Sequence, residues 1–257
     1  DKLLMYIANG FSSLLRADEA VCRIVSDRFA LMVHRRDEAL TRFVETYFNA
    51  LKKYKLSQEI ISNMGIYRID RTDLSADAML DRAILAQKTI KGNYEIKYAF
   101  YSEDMRNNML GEQEITGAMN TALAERQFVV YYQPQYDHST GELIGAEALV
   151  RWLHPEYGLV PPGKFIPLFE KNGFITRLDF YVFDQVCRYQ RKCIDAGIKP
   201  VPISVNLTRY DIYQSDFIDI LESSRIRYDV PVDLLRIEIT ETAVVGDNKQ
   251  ASRVIEQ

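Results

Sequence analysis

Three oxygen-bearing side chains stand where predicted strands end: Glu147 in GAEALVRW, Asn206 in ISVNLT and Glu238 in LRIEITET. Two carboxylates and an amide carbonyl are hard donors, suited to Mg²⁺ or Mn²⁺ and poorly suited to zinc. In a parallel β/α barrel the carboxyl ends of the strands and the loops after them form the active-site face. Residues far apart in the chain could therefore converge on one cation. Each residue alone reads more readily as a solvated or capping group. In RIEITE, strict alternation could simply turn Glu238 and Thr240 away from an apolar face. Spacing leaves both readings open.

The elements that must position these residues follow from periodicity. Two strands, FVVYYQPQYD and LIGAEALVRW, flank a turn at HSTGE. A Pro/Gly-rich loop (HPEYGLVPPGKF) leads to a short helix ending at Lys171 and then to an amphipathic helix from about Ile175 to Gly197. The strand VPISVNL, the helix FIDILESSRI and the strand LLRIEIT complete the series. Strands alternating with helices after an opening hairpin predict a parallel β/α array, with room for two or three strand–helix units of a barrel. The first hundred residues read differently. A helix over DKLLMYIANGFSSLL precedes two short strands around Ser26-Asp27, a helix from about Asp37 to Lys55, a strand in EIISNMGIYRI, and a helix N-capped by Ser75. This βαβα order with a hairpin predicts an α+β sandwich. The boundary is expected near Arg106, giving units 1–105 and 106–257, with a connecting helix over about 103–126.

Composition narrows the partners. A hydrophobic fraction of 47% and a charged fraction of 26% are those of a soluble globular protein. A net charge of −4 argues against polymeric nucleic acid, which needs a basic face, and permits a small dianionic ligand. Cys22, Cys187 and Cys193 show neither metal-ligand spacing nor a disulfide framework, which points to a reducing compartment. No apolar run is long enough for a membrane span, and no signal peptide is present. The chain opens inside a helical pattern without a start methionine, so it reads as a fragment whose upstream part could carry a sensor or membrane anchor.

The ordered stretches FVVYYQPQYDHSTGELIGAEALVRWLHPEYGLVPPGKFIPLFEKNG, ISVNLT and LRIEITET make the region from about Glu114 to Thr242 resemble the N-terminal half of an EAL domain. That family hydrolyses cyclic di-GMP to pGpG in a (β/α)₈ barrel with two divalent metals. The resemblance implies that Glu147, Asn206 and Glu238 are metal ligands for Mg²⁺ or Mn²⁺. It implies that Gln133, Leu149 and Arg151 meet the dinucleotide, with Gln133 at a guanine edge and Arg151 offering a forked donor to phosphate. Glu241 matches a glutamate that steadies an active-site loop. The family's Asp-Asp pair, its lysine and a further glutamate would fall beyond the last residue, Gln257, so this segment by itself is expected to be inactive. The alternative is a non-catalytic receptor for cyclic di-GMP or a protein partner.

The hairpin region resembles a degenerate GGDEF motif of diguanylate cyclases, with Val25, Ser26, Asp27, Arg28 and Phe29 in its place. Glycines there let a backbone approach a nucleotide, and Val25 and Ser26 carry the obstructing Cβ. Arg28 reverses the charge of the family's glutamate, so no cyclase activity is expected. Lys88 falls where the family has a phosphate-contacting lysine. Arg16-Ala17-Asp18-Glu19 resembles an RxxD inhibitory site with the wrong last residue. A folded spacer, regulatory or dimerisation module is the expected role. A homodimer and a cytoplasmic location are likewise expectations of the resemblance.

The remaining candidates read as structural. His34, His138 and His154 pair with no Cys or Ser in a nucleophilic arrangement. Phe128, Tyr131 and Tyr132 could stack on bases and Trp152 could wall a ligand pocket, but their strand positions favour packing. Lys52, Lys53 and Lys55 complement a helix end.

Overall fold

The computed structural model describes residues 2–54, 60–70, 73–93 and 95–239. The chain divides into two compact units, Asp1–Asn107 and Asn108–Gln257. Helix α4 (Glu103–Ala124) runs across that division.

The first unit contains α1 (Lys2–Leu14), the antiparallel strands β1 (Ala20–Val25) and β2 (Arg28–Met32), α2 (Asp37–Leu51), β3 (Met64–Ile66), α3 (Ala76–Ile90) and β4 (Tyr98–Phe100), the last paired parallel to β3. Its core forms because the stripe Leu40, Phe43, Val44, Tyr47, Phe48 and Leu51 of α2 packs on Phe11 of α1. The Phe11 and Tyr47 rings stack at 4.2 Å. Ser75 caps α3 as its sequence predicts, accepting a hydrogen bond from the Ala78 amide at 3.2 Å. Strand β3 crosses α3 at Gly65, where a Cβ would lie 1.8 Å from the Ala83 carbonyl oxygen. Only glycine fits that crossing.

The second unit is mixed α/β. Strands β5 (Phe128–Tyr136), β6 (Leu143–His154), β8 (Ile203–Leu207) and β9 (Leu235–Ile239) lie in that order, with β7 (Gly158–Val160) added to β6. The pair β5–β6 is antiparallel, whereas β6–β8 and β8–β9 are parallel. The β5–β6 turn is tied by Asp137, whose Oδ1 accepts from the Ser139 and Thr140 amides at 2.8 and 2.9 Å. Those bonds, with the Ser139 hydroxyl the strongest, hold its carboxyl down to about 2.

Helices α5 (Pro162–Asn172), α6 (Ile175–Asp195) and α8 (Phe217–Arg227), with the single-turn helix α7 (Arg209–Ile212), cover one face of the sheet. Along α6, Ile175, Leu178, Val182, Phe183, Val186 and Cys187 recur at helical spacing and are buried. Gln190 continues that stripe. Its Nε2 donates to the carbonyls of Val201 (2.8 Å) and Leu234 (3.0 Å), joining the entrances of β8 and β9 to one helix.

Three short elements depart from the periodicity reading: β4, β7 and α7. The strand expected across EIISNMGIYRI is confined to Met64–Ile66 among the described residues. Helix α2 ends at Leu51, with Lys52 as its C-cap.

Candidate ligand-binding face

Strand alternation sorts the second unit's sheet into two faces. Phe128, Ala146, Ala148, Trp152, Ile203, Val205 and Leu207 belong to the core under the helices. The opposite face carries the polar side chains. On β5 and β6, Gln133 lies directly across from Glu147, Tyr131 from Leu149, and Val129 from Arg151. On β8 and β9, Ser204 lies beside Arg236 and Asn206 beside Glu238. Glu238 therefore points away from an apolar layer, as alternation requires, and in doing so joins Asn206.

The structure brings Glu147 and Asn206 into contact across adjacent strands: Asn206 Nδ2 donates to Glu147 Oε1 at 2.8 Å. This bond turns the amide so that its Oδ1 faces away from Glu147, able to accept a hydrogen bond or coordinate a cation. Glu147 and Asn206 are half-buried, and Glu238, on the outermost described strand, is exposed. Among the described residues, no three His, Cys, Asp or Glu side chains form a metal-binding group. The face instead offers two carboxylates and an amide oxygen, a hard-oxygen set that fits a divalent cation in chemistry.

Arg151 stands farther along β6. Its guanidinium lies over the Tyr131 ring, 5.8 Å from the centroid, and Nη1 donates to the Val150 carbonyl at 2.8 Å. Among the described residues no carboxylate forms an ion pair with it. A cation steadied by a ring and a carbonyl keeps most of its fork for a ligand. Leu149, between Glu147 and Arg151, adds an apolar step on the same face. Gln133 is exposed opposite Glu147. Glu241 lies outside the described residues.

Two further residues of this face were missed from the sequence. Tyr131, read as a packing residue, is 50% exposed and cradles Arg151. Arg236 lies on the polar face beside Ser204, with its Nη1 3.6 Å from where a Cβ at Gly145 would sit. Its place two residues before Glu238 was the available signal. By contrast Trp152 is fully buried among Phe128, Phe165 and Phe169, and its Nε1 donates to Gln127 Oε1 at 2.9 Å. It packs and walls no pocket on the polar face. Phe128 is buried in the same cluster, and the Tyr132 ring stacks on Tyr189 at 4.4 Å. His154 Nδ1 accepts from the Glu156 and Tyr157 amides, which makes it a turn residue.

In the first unit the hairpin holds Val25, Ser26, Asp27 and Arg28 in solvent, with Phe29 half-buried against Phe11. Ser26 sits at φ 51°, a left-handed conformation that glycine adopts most readily. Arg23 Nε closes the turn by donating to the Ser26 carbonyl at 2.6 Å. The RxxD-like stretch is otherwise engaged. Glu19 is buried and accepts from the Arg16 and His34 amides and from Arg35 Nε and Nη2, at 2.7 to 3.1 Å. It is a structural anchor. The exposed Lys88 lies in the last turn of α3.

The comparisons with known proteins bear on the fold and the family. The bifunctional diguanylate cyclase/cyclic di-GMP phosphodiesterase MucR of Pseudomonas aeruginosa is 28% identical over 262 residues, covering 100% of this chain and 38% of its own length. The chain spans 33% to 38% of the first three curated relatives it matches. A solved PaMucR phosphodiesterase in complex with c-di-GMP superimposes with a TM-score of 0.53 at 34% identity, covering 56% of this chain and 58% of that one. The S helix-GGDEF-EAL structure of Vibrio cholerae LapD has a TM-score of 0.52 at 19% identity and covers 96% of this chain and 59% of its own, a likeness of fold. The sequence profile of the EAL domain matches residues 116–257, and with that match over more than half its length the chain belongs to the EAL-domain family.

Proposed function

We propose that the second unit binds cyclic di-GMP on its polar sheet face and supplies ligands for hydrolysis of the dinucleotide to pGpG with two divalent cations, Mg²⁺ or Mn²⁺. The observation that carries this reading is the Glu147–Asn206 contact, beside Glu238 in register and on the same face as an arginine that pairs with no carboxylate among the described residues. Glu147, Asn206 Oδ1 and Glu238 would hold the cation, which when bound polarises a phosphate oxygen and activates water. Arg151 neutralises a phosphate while the Tyr131 ring restrains it. Gln133 meets a guanine edge with its amide, and Leu149 lies against the ligand.

For residues 1–105 the reading is a degenerate GGDEF-like domain without cyclase activity, joined through the helix at about 103–126 to the EAL part, 106–257. The α+β arrangement, the solvent-exposed hairpin and the fold likeness to a GGDEF–EAL structure support it. Arg28 places a cation where cyclase chemistry would need a carboxylate. Its role is regulatory, within a homodimer. A bacterial dinucleotide messenger sets the location as cytoplasmic. Among the described residues no helix is long and apolar enough to cross a membrane.

The test is calorimetric binding of cyclic di-GMP in EDTA, alongside turnover with Mg²⁺ or Mn²⁺. Arg151→Ala should weaken binding about 10- to 100-fold, the worth of a charge-assisted hydrogen bond. Glu147→Ala should abolish turnover by the uninterrupted protein while still binding the ligand in EDTA. Equal turnover by Glu147→Ala and the unsubstituted protein would sink the ligand assignment. Binding without turnover by the uninterrupted protein under either cation would make it a receptor.

A further inference from the structure

Helix α6 carries one carboxylate on its buried stripe. Asp179 is 8% exposed, and Asp211, in α7, is fully buried. Helices α6 and α7 are in contact, and Asp211 is the side chain whose charge bears most on Asp179. Asp211 uses one oxygen as a cap: its Oδ2 accepts from the Thr208 amide at 2.6 Å and from the Thr208 hydroxyl at 2.8 Å. Its other oxygen, Oδ1, and Oδ2 of Asp179 are both sealed from solvent and receive no hydrogen bond from any other described residue. Two buried oxygens that cannot bond as anions can bond once a proton lies between them. Two adjacent buried carboxylates cannot both remain charged.

We propose that Asp179 and Asp211 share one proton, and that this bond clasps helix α6 to the turn that follows Asn206. The proton resides on Asp179, because Asp211 Oδ2 already accepts twice. Besides Asp211, the groups that bear on Asp179 are the Thr208 backbone, which favours its charged form, and the carboxylate of Glu170 in α5, which opposes it. None of these is a cation. Desolvation, followed by the Asp211 charge, lifts Asp179 to about 9, in agreement with the geometry. Thr208 directly follows β8, whose penultimate residue is Asn206. The clasp thus fixes the end of the strand that presents the amide to Glu147. It is a positioning device, and it stands whether or not the polar face hydrolyses a dinucleotide.

The sign of its pH dependence follows from linkage. The folded chain keeps a proton that the unfolded chain releases near pH 3.8, so stability is fully present below that pH and is lost as pH rises towards about 9. One linked proton lowers the folding constant about tenfold per pH unit across that interval. Asp179→Asn donates the same hydrogen bond without a titrating proton. Denaturant unfolding of this chain between pH 5 and pH 9 should show a fall for the unsubstituted protein that Asp179→Asn lacks. Infrared spectroscopy at pH 7 should show a protonated carboxylic acid that disappears in Asp179→Asn. Parallel pH slopes, or no protonated acid in the unsubstituted protein, would overturn the proposal. If Asp179→Asn fails to fold, the infrared spectrum of the unsubstituted protein decides alone.

Discussion

Glu19 in the first unit and Asp179 in the second are both carboxyl groups removed from water, and their surroundings drive them in opposite directions. Glu19 meets the Arg35 guanidinium and two backbone amides, and is held down to about 2. Asp179 is desolvated by burial, meets a second carboxyl besides, and is pushed up to about 9. Burial raises the carboxyl pKa in both cases. At Glu19 a guanidinium and N–H donors outweigh burial and reward the anion, whereas at Asp179 burial prevails and a neighbouring carboxylate adds to it.

The largest expected effect breaks the first member of this comparison. Arg35→Ala removes the guanidinium that bonds Glu19 and lies 4.4 Å over the Phe43 ring, leaving a buried anion without its counter-charge. It should cost about 3–5 kcal/mol in denaturant unfolding of the first unit. Glu19 also sets an acid limit. Its stabilisation is present above its unfolded value of 4.5 and is lost as pH falls through about 2. Glu19→Gln should flatten the acid side of the stability profile, while the Asp179 substitution flattens the alkaline side. A profile flattened on the same side by both would dissolve the contrast.

A neutral group sharpens it. Gln190 is as buried as either carboxyl and bonds two carbonyls, but it cannot titrate. Gln190→Leu leaves the Val201 and Leu234 oxygens without this donor and should cost about 1–3 kcal/mol. The loss should be constant between pH 5 and pH 9. A loss that varied with pH over that range would show that the amide is coupled to the carboxyl pair.

The smallest expected effect concerns a charge held by a ring. Tyr131→Leu keeps an apolar side chain beneath Arg151 and removes the π face, so cyclic di-GMP binding should weaken by about 0.5–1 kcal/mol, the worth of an exposed cation–π contact. Calorimetry in EDTA isolates that contribution from metal binding. Unchanged affinity would mean that Arg151 needs no restraint.

The longer elements were legible because their periodicity is strong. Helix α6 shows an apolar stripe over most of its length, and β5 and β6 alternate around an evident turn. Strands β4 and β7, with three residues each, are too short to display a period, and β7 lies in a Pro/Gly-rich stretch. Within the candidate face, Glu147, Asn206 and Glu238 were visible as residue types at strand ends. Tyr131 was read as packing and Arg236 was not singled out, because an aromatic or a cation in a strand has no local mark of which neighbour it will meet.

Residue order alone was enough to name the oxygen donors, to lay out the longer strands and helices, and to supply the motifs that link the chain to its family. Packing in three dimensions settled the rest: that Asn206 turns its amide to Glu147, that Glu19 faces a guanidinium, and that Asp179 faces another acid. Alternation and helical period follow from backbone geometry and so are written locally. A side chain's charge state depends on neighbours supplied by distant segments, and those are fixed only when strands and helices pack.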